Sequence, residues 1–294
     1  MKSKILAPFL LAVLGGCVHT RERAPLTYRA LVSCHEGARL VEKNPDKYDD
    51  KMLACGTVVD AFFKSQDTYK LNATEQITAF DAAFAITSYQ RNSGARGLDE
   101  VFSRLAPKDR TTERARHVFD SYLKERDFAR AAEFRDTYAN FQLPEPPRVA
   151  NAPTGLKLPV YRVVDRKTLA LENYRAPAGA HIVVMCTPNA SGCERMRTYL
   201  RNNTGLYSRT LTKMLTLMPQ DNDLLGEMAW IAEHPGEPAR IVFREGFFAD
   251  VIPEWDRAPK IYFLKGSDIQ LVQEGWSDDG PKQFRQGLHA IGLL

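Results

Sequence analysis

Prolines at 144, 146, 147 and 153 divide this chain more sharply than any other feature. Each fixes its own φ and lacks a backbone N–H, so neither a regular helix nor a central strand can run through the segment. Residues 142–157 therefore read as an extended, semi-rigid linker. The sequence changes character across it. Residues 26–141 are rich in Ala, Leu, Phe, Tyr, Glu, Arg and Lys, with few β-branched runs, which is helix-forming composition. Residues 158–294 interleave apolar, β-branched runs with helical segments, the pattern of an α/β unit with a mixed sheet. The expected fold class is a two-domain α+β chain: an all-α helical bundle, then an α/β domain.

In the first part the pattern predicts helices over Leu26–Val41, Asp46–Lys64, Ala73–Gln90, Leu98–Leu105, Thr112–Arg126 and Asp127–Phe141. Breaks fall at Asn44-Pro45-Asp46, Asn92-Ser93-Gly94 and Pro107, and a threonine of Thr111-Thr112 caps the fifth helix. Ala115–Leu123 and Phe128–Tyr138 resemble a tetratricopeptide repeat through Arg126-Asp127-Phe128-Ala129-Arg130-Ala131-Ala132, but no 34-residue period follows, so a plain bundle is expected. If Asn44-Pro45 turns a helical hairpin, Cys34 and Cys55 lie equally far on either side. Antiparallel helices rise equally per residue, so the two cysteines meet at one height and form a structural disulfide.

In the second part, strands are expected at Val160–Val164, Ala180–Met185, Thr210–Leu217 and Ala239–Phe243, with a hairpin of Pro259–Leu264 and Ile269–Gln273 about Lys265-Gly266-Ser267-Asp268. Helices are expected at Ser191–Arg201, Leu224–Ala232 and Lys282–Ile291.

The N-terminus carries an export signal: Lys2 and Lys4, then an apolar run from Ile5 to Leu14 that is too short to span a bilayer, which takes about 20 residues. Leu14-Gly15-Gly16-Cys17 resembles the lipobox of bacterial lipoproteins. That resemblance implies removal of residues 1–16, a diacylglyceryl group and palmitate on Cys17, and a short tether over 17–25. Val18 stands where an aspartate would resemble an inner-membrane retention signal, which implies the periplasmic side of the outer membrane. Loss of residues 1–16 removes Lys2 and Lys4 and no acid, so the net charge falls from +4 to +2. That is no nucleic-acid footprint. The expected partners are the membrane, through the lipid, and an envelope protein.

With Cys17 lipidated, Cys34, Cys55, Cys186 and Cys193 remain, an even number suited to disulfides in an oxidising compartment. Residues 158–294 resemble the thioredoxin family in three respects. An apolar strand runs through a short loop into a cysteine and a helix, His181-Ile-Val-Val-Met-Cys186-Thr-Pro-Asn-Ala-Ser-Gly-Cys193. Ala258-Pro259 precedes an apolar strand, where the family holds a cis-proline. A hairpin, Gly275-Trp276 and a terminal helix close the chain. The segment from about 205 to 257 exceeds what the core fold needs and reads as an insertion. The family's active motif is Cys-x-x-Cys. Counted from the strand, Cys193 takes the second position and Ala190 stands where the nucleophile belongs, so the ordinary dithiol cycle is lost. Two readings stay open: a redox-silent binding or adaptor module, or a thiol–disulfide oxidoreductase pairing Cys186 with Cys193. In the second, Trp255, Tyr262 and Trp276 near Pro259 are candidates for a substrate groove. No His-Glu-x-x-His spacing, phosphate loop or Gly-x-Ser-x-Gly elbow is present, so no metal or cofactor is expected.

Overall fold

The computed structural model describes residues 25–90, 94–151, 153–220, 223–244 and 258–294. The first part is helical: α1 (Leu26–Arg39), α2 (Pro45–Ala54), α3 (Gly56–Lys64), α4 (Ala73–Tyr89), α5 (Ala95–Arg104), α6 (Thr112–Lys124) and α7 (Phe128–Thr137). Side chains stop and start these helices where the sequence supplies them. Asn44 caps α2, Thr111 caps α6 and Asp127 caps α7, while Asn72 and Glu75 form a reciprocal capping box at α4.

The helix expected over Asp46–Lys64 is broken into α2 and α3 at Cys55. The cause lies far away in sequence. The Gln90 side-chain amide donates to the carbonyls of Met52 (3.0 Å) and Leu53 (3.2 Å), and a Cβ on Gly56 would overlap that same side chain. Cys55 sits at this break, bonded to Cys34 with Cα atoms 5.9 Å apart.

The second part is one mixed sheet of eight strands: β1 (Arg148–Val149), β2 (Pro159–Asp165), β3 (Thr168–Asn173), β4 (Ala180–Met185), β5 (Met214–Met218), β6 (Ala239–Val242), β7 (Lys260–Lys265) and β8 (Asp268–Glu274), in the order β1-β3-β2-β6-β5-β4-β7-β8. Its helices are α8 (Ser191–Asn202), α9 (Thr204–Leu211), α10 (Leu224–Glu233) and α11 (Gly280–Ile291). Strands β4, β5 and β6 are parallel, and β7 and β2 flank them antiparallel. Four elements differ from the sequence expectation: α9 was not foreseen as a helix, β1 lies inside the segment expected as a linker, where it pairs with β3, and two strands depart as follows. Thr168–Asn173, not foreseen as a strand, pairs with β2. The strand foreseen over Thr210–Leu217 begins only at Met214, because Thr210 lies in the last turn of α9 with its hydroxyl on the carbonyls of Leu206 and Tyr207.

Strand parity assigns the two faces of the sheet. Ile182, Val184, Ile261 and Phe263 pack under α8 and α11 together with Met196, Leu200, Phe284 and Leu288. Further along the same face, Tyr161, Leu169, Met218 and Ile241 join α10 and the N-terminal helices in one apolar cluster. Phe128 of α7 meets Tyr161 of β2 at 6.1 Å. Polar bonds cross here too: Arg126 donates to the Val242 carbonyl (3.2 Å) and Gln220 to the Lys124 carbonyl (2.7 Å). The opposite face gathers Val160, Val183, Met185, Leu217, Val242, Tyr262 and Leu264. Among the described residues no helix is long and apolar enough to cross a membrane.

Candidate functional site

The C-terminal end of β4 delivers Cys186 directly into the loop before α8. Its backbone N–H donates to the Leu217 carbonyl at 3.1 Å, which ties the loop to β5. Pro188 and Ala190 carry the chain round, and α8 begins at Ser191 without a side-chain cap. The turn brings Cys193 back onto Cys186: the two are bonded, with Cα atoms 5.8 Å apart. Both cysteines are 0 % exposed, and they pack in one apolar cluster with Ile182 and Val184 of β4 and Met196 of α8.

Against this turn sits Pro259. The Ala258–Pro259 peptide is cis, at the position the thioredoxin resemblance implies. Gly192 in the first turn of α8 lies directly on it: a Cβ there would be 2.7 Å from Pro259 Cδ and 3.2 Å from the Ala258 carbonyl oxygen. The proline carbonyl is already engaged, accepting from the Gly275 N–H at 2.8 Å. Strand–loop–cysteine–helix and cis-proline are therefore in contact, while Ala190, half-buried at the N-cap of α8, carries no nucleophile.

The two arginines nearest in sequence do not serve the sulfurs. Arg195 is exposed. Arg197 is buried, with its guanidinium 4.2 Å from the Trp230 ring centroid and 3.7 Å from Glu237. Burial lowers its pKa, against the opposing pull of Glu237 and Glu194. Its charge is committed to α10 and Glu237.

The other residues singled out from sequence are dispersed. Tyr262 is buried on the sheet face opposite α8, whereas Trp276 is buried on the α8 side, against Tyr199 and Phe284. Both are core side chains on opposite faces and do not form one groove wall. Trp255 and Cys17 lie outside the described residues. Among the described residues no cluster of His, Cys, Asp and Glu suited to a metal ion is found.

Sequence reasoning missed one group beside the loop. Asn189 donates to Asp223 (3.3 Å), which also caps α10 at Gly226. Asp120 of α6 feels the Asp223 charge, and burial, with that charge adding, pushes its pKa up to about 6 against the pull of Arg116. The folded chain thus holds this proton more tightly than the unfolded chain does. Stability contributed by Asp120 is expected to fall as pH rises from about 4 to about 6, and to be level outside that window. Asp120→Asn cannot ionise, so its stability relative to the parent should rise across the window by on the order of 3 kcal/mol in urea titrations. An unchanged difference between about pH 4 and about pH 7 would remove Asp120 from the account.

Neither a family model nor a curated protein matches the sequence. Among solved structures, the chain is similar to a thioredoxin-like protein from Bacteroides caccae, at 11 % identity over 83 % of this chain and 84 % of that one, with a TM-score of 0.29. The features that the thioredoxin resemblance implies are present in the chain's own topology: β4 entering α8 through the cysteine loop, Pro259 against Gly192, and the β7–β8 hairpin followed by α11.

Proposed function

We propose that this protein is a lipid-anchored lipoprotein of the bacterial envelope, on the periplasmic side of the outer membrane, whose thioredoxin-like half is a redox-silent binding module and whose helical half engages an envelope protein. One observation carries the redox-silent part: Cys186 and Cys193 are bonded to each other and both are 0 % exposed. Thiol–disulfide exchange needs an attacking thiolate to reach a sulfur. Here the sulfurs are enclosed, and Ala190 leaves the N-cap of α8, where the dithiol motif has its nucleophile, without a thiol. The disulfide then acts as a staple that holds the turn beneath Pro259.

The alternative is a thiol–disulfide oxidoreductase using Cys186 and Cys193, and the contact of Gly192 with the cis-proline favours it. Insulin reduction separates the two. The proposal expects turnover at the uncatalysed rate, unchanged by Cys193→Ser; turnover that Cys193→Ser abolishes would establish the alternative. The anchor is tested independently by palmitate labelling in cells, which Cys17→Ser should abolish. A partner bound by the adaptor should remain bound after Cys186→Ala/Cys193→Ala.

A further inference from the structure

We infer that the chain has a second binding site, for a small organic carboxylate, at the end of the sheet remote from the cysteines. A cavity of about 310 Å³ opens there. His181 begins β4 and Cys186 follows its end, so the two sites occupy opposite ends of one strand. This inference does not rest on the redox reading.

The cavity lies on the face opposite α8, with Val160 and Leu215 among its apolar walls. Its size falls at the lower end of small-molecule sites, roughly 300–1,000 Å³. One wall is the segment from Asn173 to Pro177, and that wall is tied down. The Asn173 side-chain oxygen accepts from the N–H groups of Lys157 (3.0 Å) and Leu158 (2.8 Å), and the Tyr174 N–H donates to the Leu158 carbonyl (2.8 Å). The start of this wall is therefore held in place before any ligand arrives.

Charge selects the ligand class. Arg175, Lys213 and Arg240 line the cavity with one carboxylate, Glu172. Glu172 is taken by Arg240 and by Arg162 (3.2 Å). Arg175 and Lys213 are exposed at the rim, and neither has an ion-pair partner among the described residues. The wall also holds an unspent polar group. His181 is 1 % exposed and gives its Nδ1 proton to the Gly179 carbonyl (3.2 Å), while Nε2 has no hydrogen-bond partner among the described residues. With its proton on Nδ1 the ring offers only a lone pair at Nε2, which a carboxylate cannot satisfy, so His181 forms wall and the choice of ligand rests on Arg175 and Lys213. Apolar walls beneath two uncommitted cations fit a molecule with an apolar body and one anionic head. A carboxylate suits this better than a phosphate, since no glycine-rich loop lines the cavity, among the described residues, to cradle phosphate oxygens.

The test is calorimetric titration of the full chain with 2-naphthoate. The expected result is saturable one-to-one binding. The neutral 2-naphthamide should bind at least tenfold more weakly, and the variant Arg175→Gln/Lys213→Gln should lose at least tenfold for the acid. Both substituted residues are exposed, so the variant should keep the parent's melting temperature. Absence of saturable binding, equal binding of the amide, or unchanged affinity in a folded double variant would each overturn the inference.

Discussion

Phe263→Ala is expected to destabilise the protein by about 3–5 kcal/mol, the range for removing a fully buried aromatic ring from a packed core. Phe263 is 0 % exposed on β7, four residues after the cis-proline, and it meets Phe284 of α11 edge-on at 5.4 Å. What makes the site demanding is Gly287. A Cβ there would be 2.3 Å from the Phe263 ring, so α11 lies directly on the aromatic face. The same contact predicts a sign reversal. Gly287→Ala alone should cost about 1–3 kcal/mol through overpacking. In the Phe263→Ala background the added methyl enters vacated space and should recover part of the loss. Urea denaturation of the four proteins measures this coupling; strict additivity would show that α11 does not rest on the ring.

Removing the Cys34–Cys55 bond is the second large effect. The bond spans a sequence separation of 21 and ties α1 to the α2–α3 break. Cross-linking a loop of that length restricts the unfolded chain by about 3 kcal/mol. Cys34→Ser/Cys55→Ser should therefore lower the melting temperature by roughly 5–10 °C. The loss should appear first in the helical signal, because Cys55 packs in the cluster that the N-terminal helices share with β2 and α10. A melting temperature matching the parent's would mean that packing alone fixes the α1–α2 angle.

These contacts show what was legible in the sequence and what was not. The cysteine spacing about Asn44-Pro45, the apolar run into Cys186 and the dipeptide Ala258-Pro259 are local signals, and each has its counterpart in the fold. The break at Cys55 is not local: it depends on Gln90, which reaches two carbonyls from the end of α4. Thr168–Asn173 reads Thr-Leu-Ala-Leu-Glu-Asn, equally suited to a helix, and only its pairing with β2 makes it a strand. Thr210-Leu211-Thr212 alternates as a strand would, yet the turn set up from Asn203 carries the helix through Leu211. The enclosure of the cysteines was also beyond the sequence, since it requires α8, β4 and Pro259 to close on one another. The face occupied by Tyr262 follows from strand register, which sequence spacing near a proline does not supply.

In the proposed function the Cys186–Cys193 pair is closed to exchange. The most direct measurement is the rate at which a thiol reductant followed by maleimide labels these two cysteines in the folded protein, read by mass spectrometry against the protein in urea. Labelling of Cys186 and Cys193 is expected only as fast as the chain unfolds, independent of reductant concentration. Labelling of the folded protein at a rate proportional to reductant concentration would contradict it.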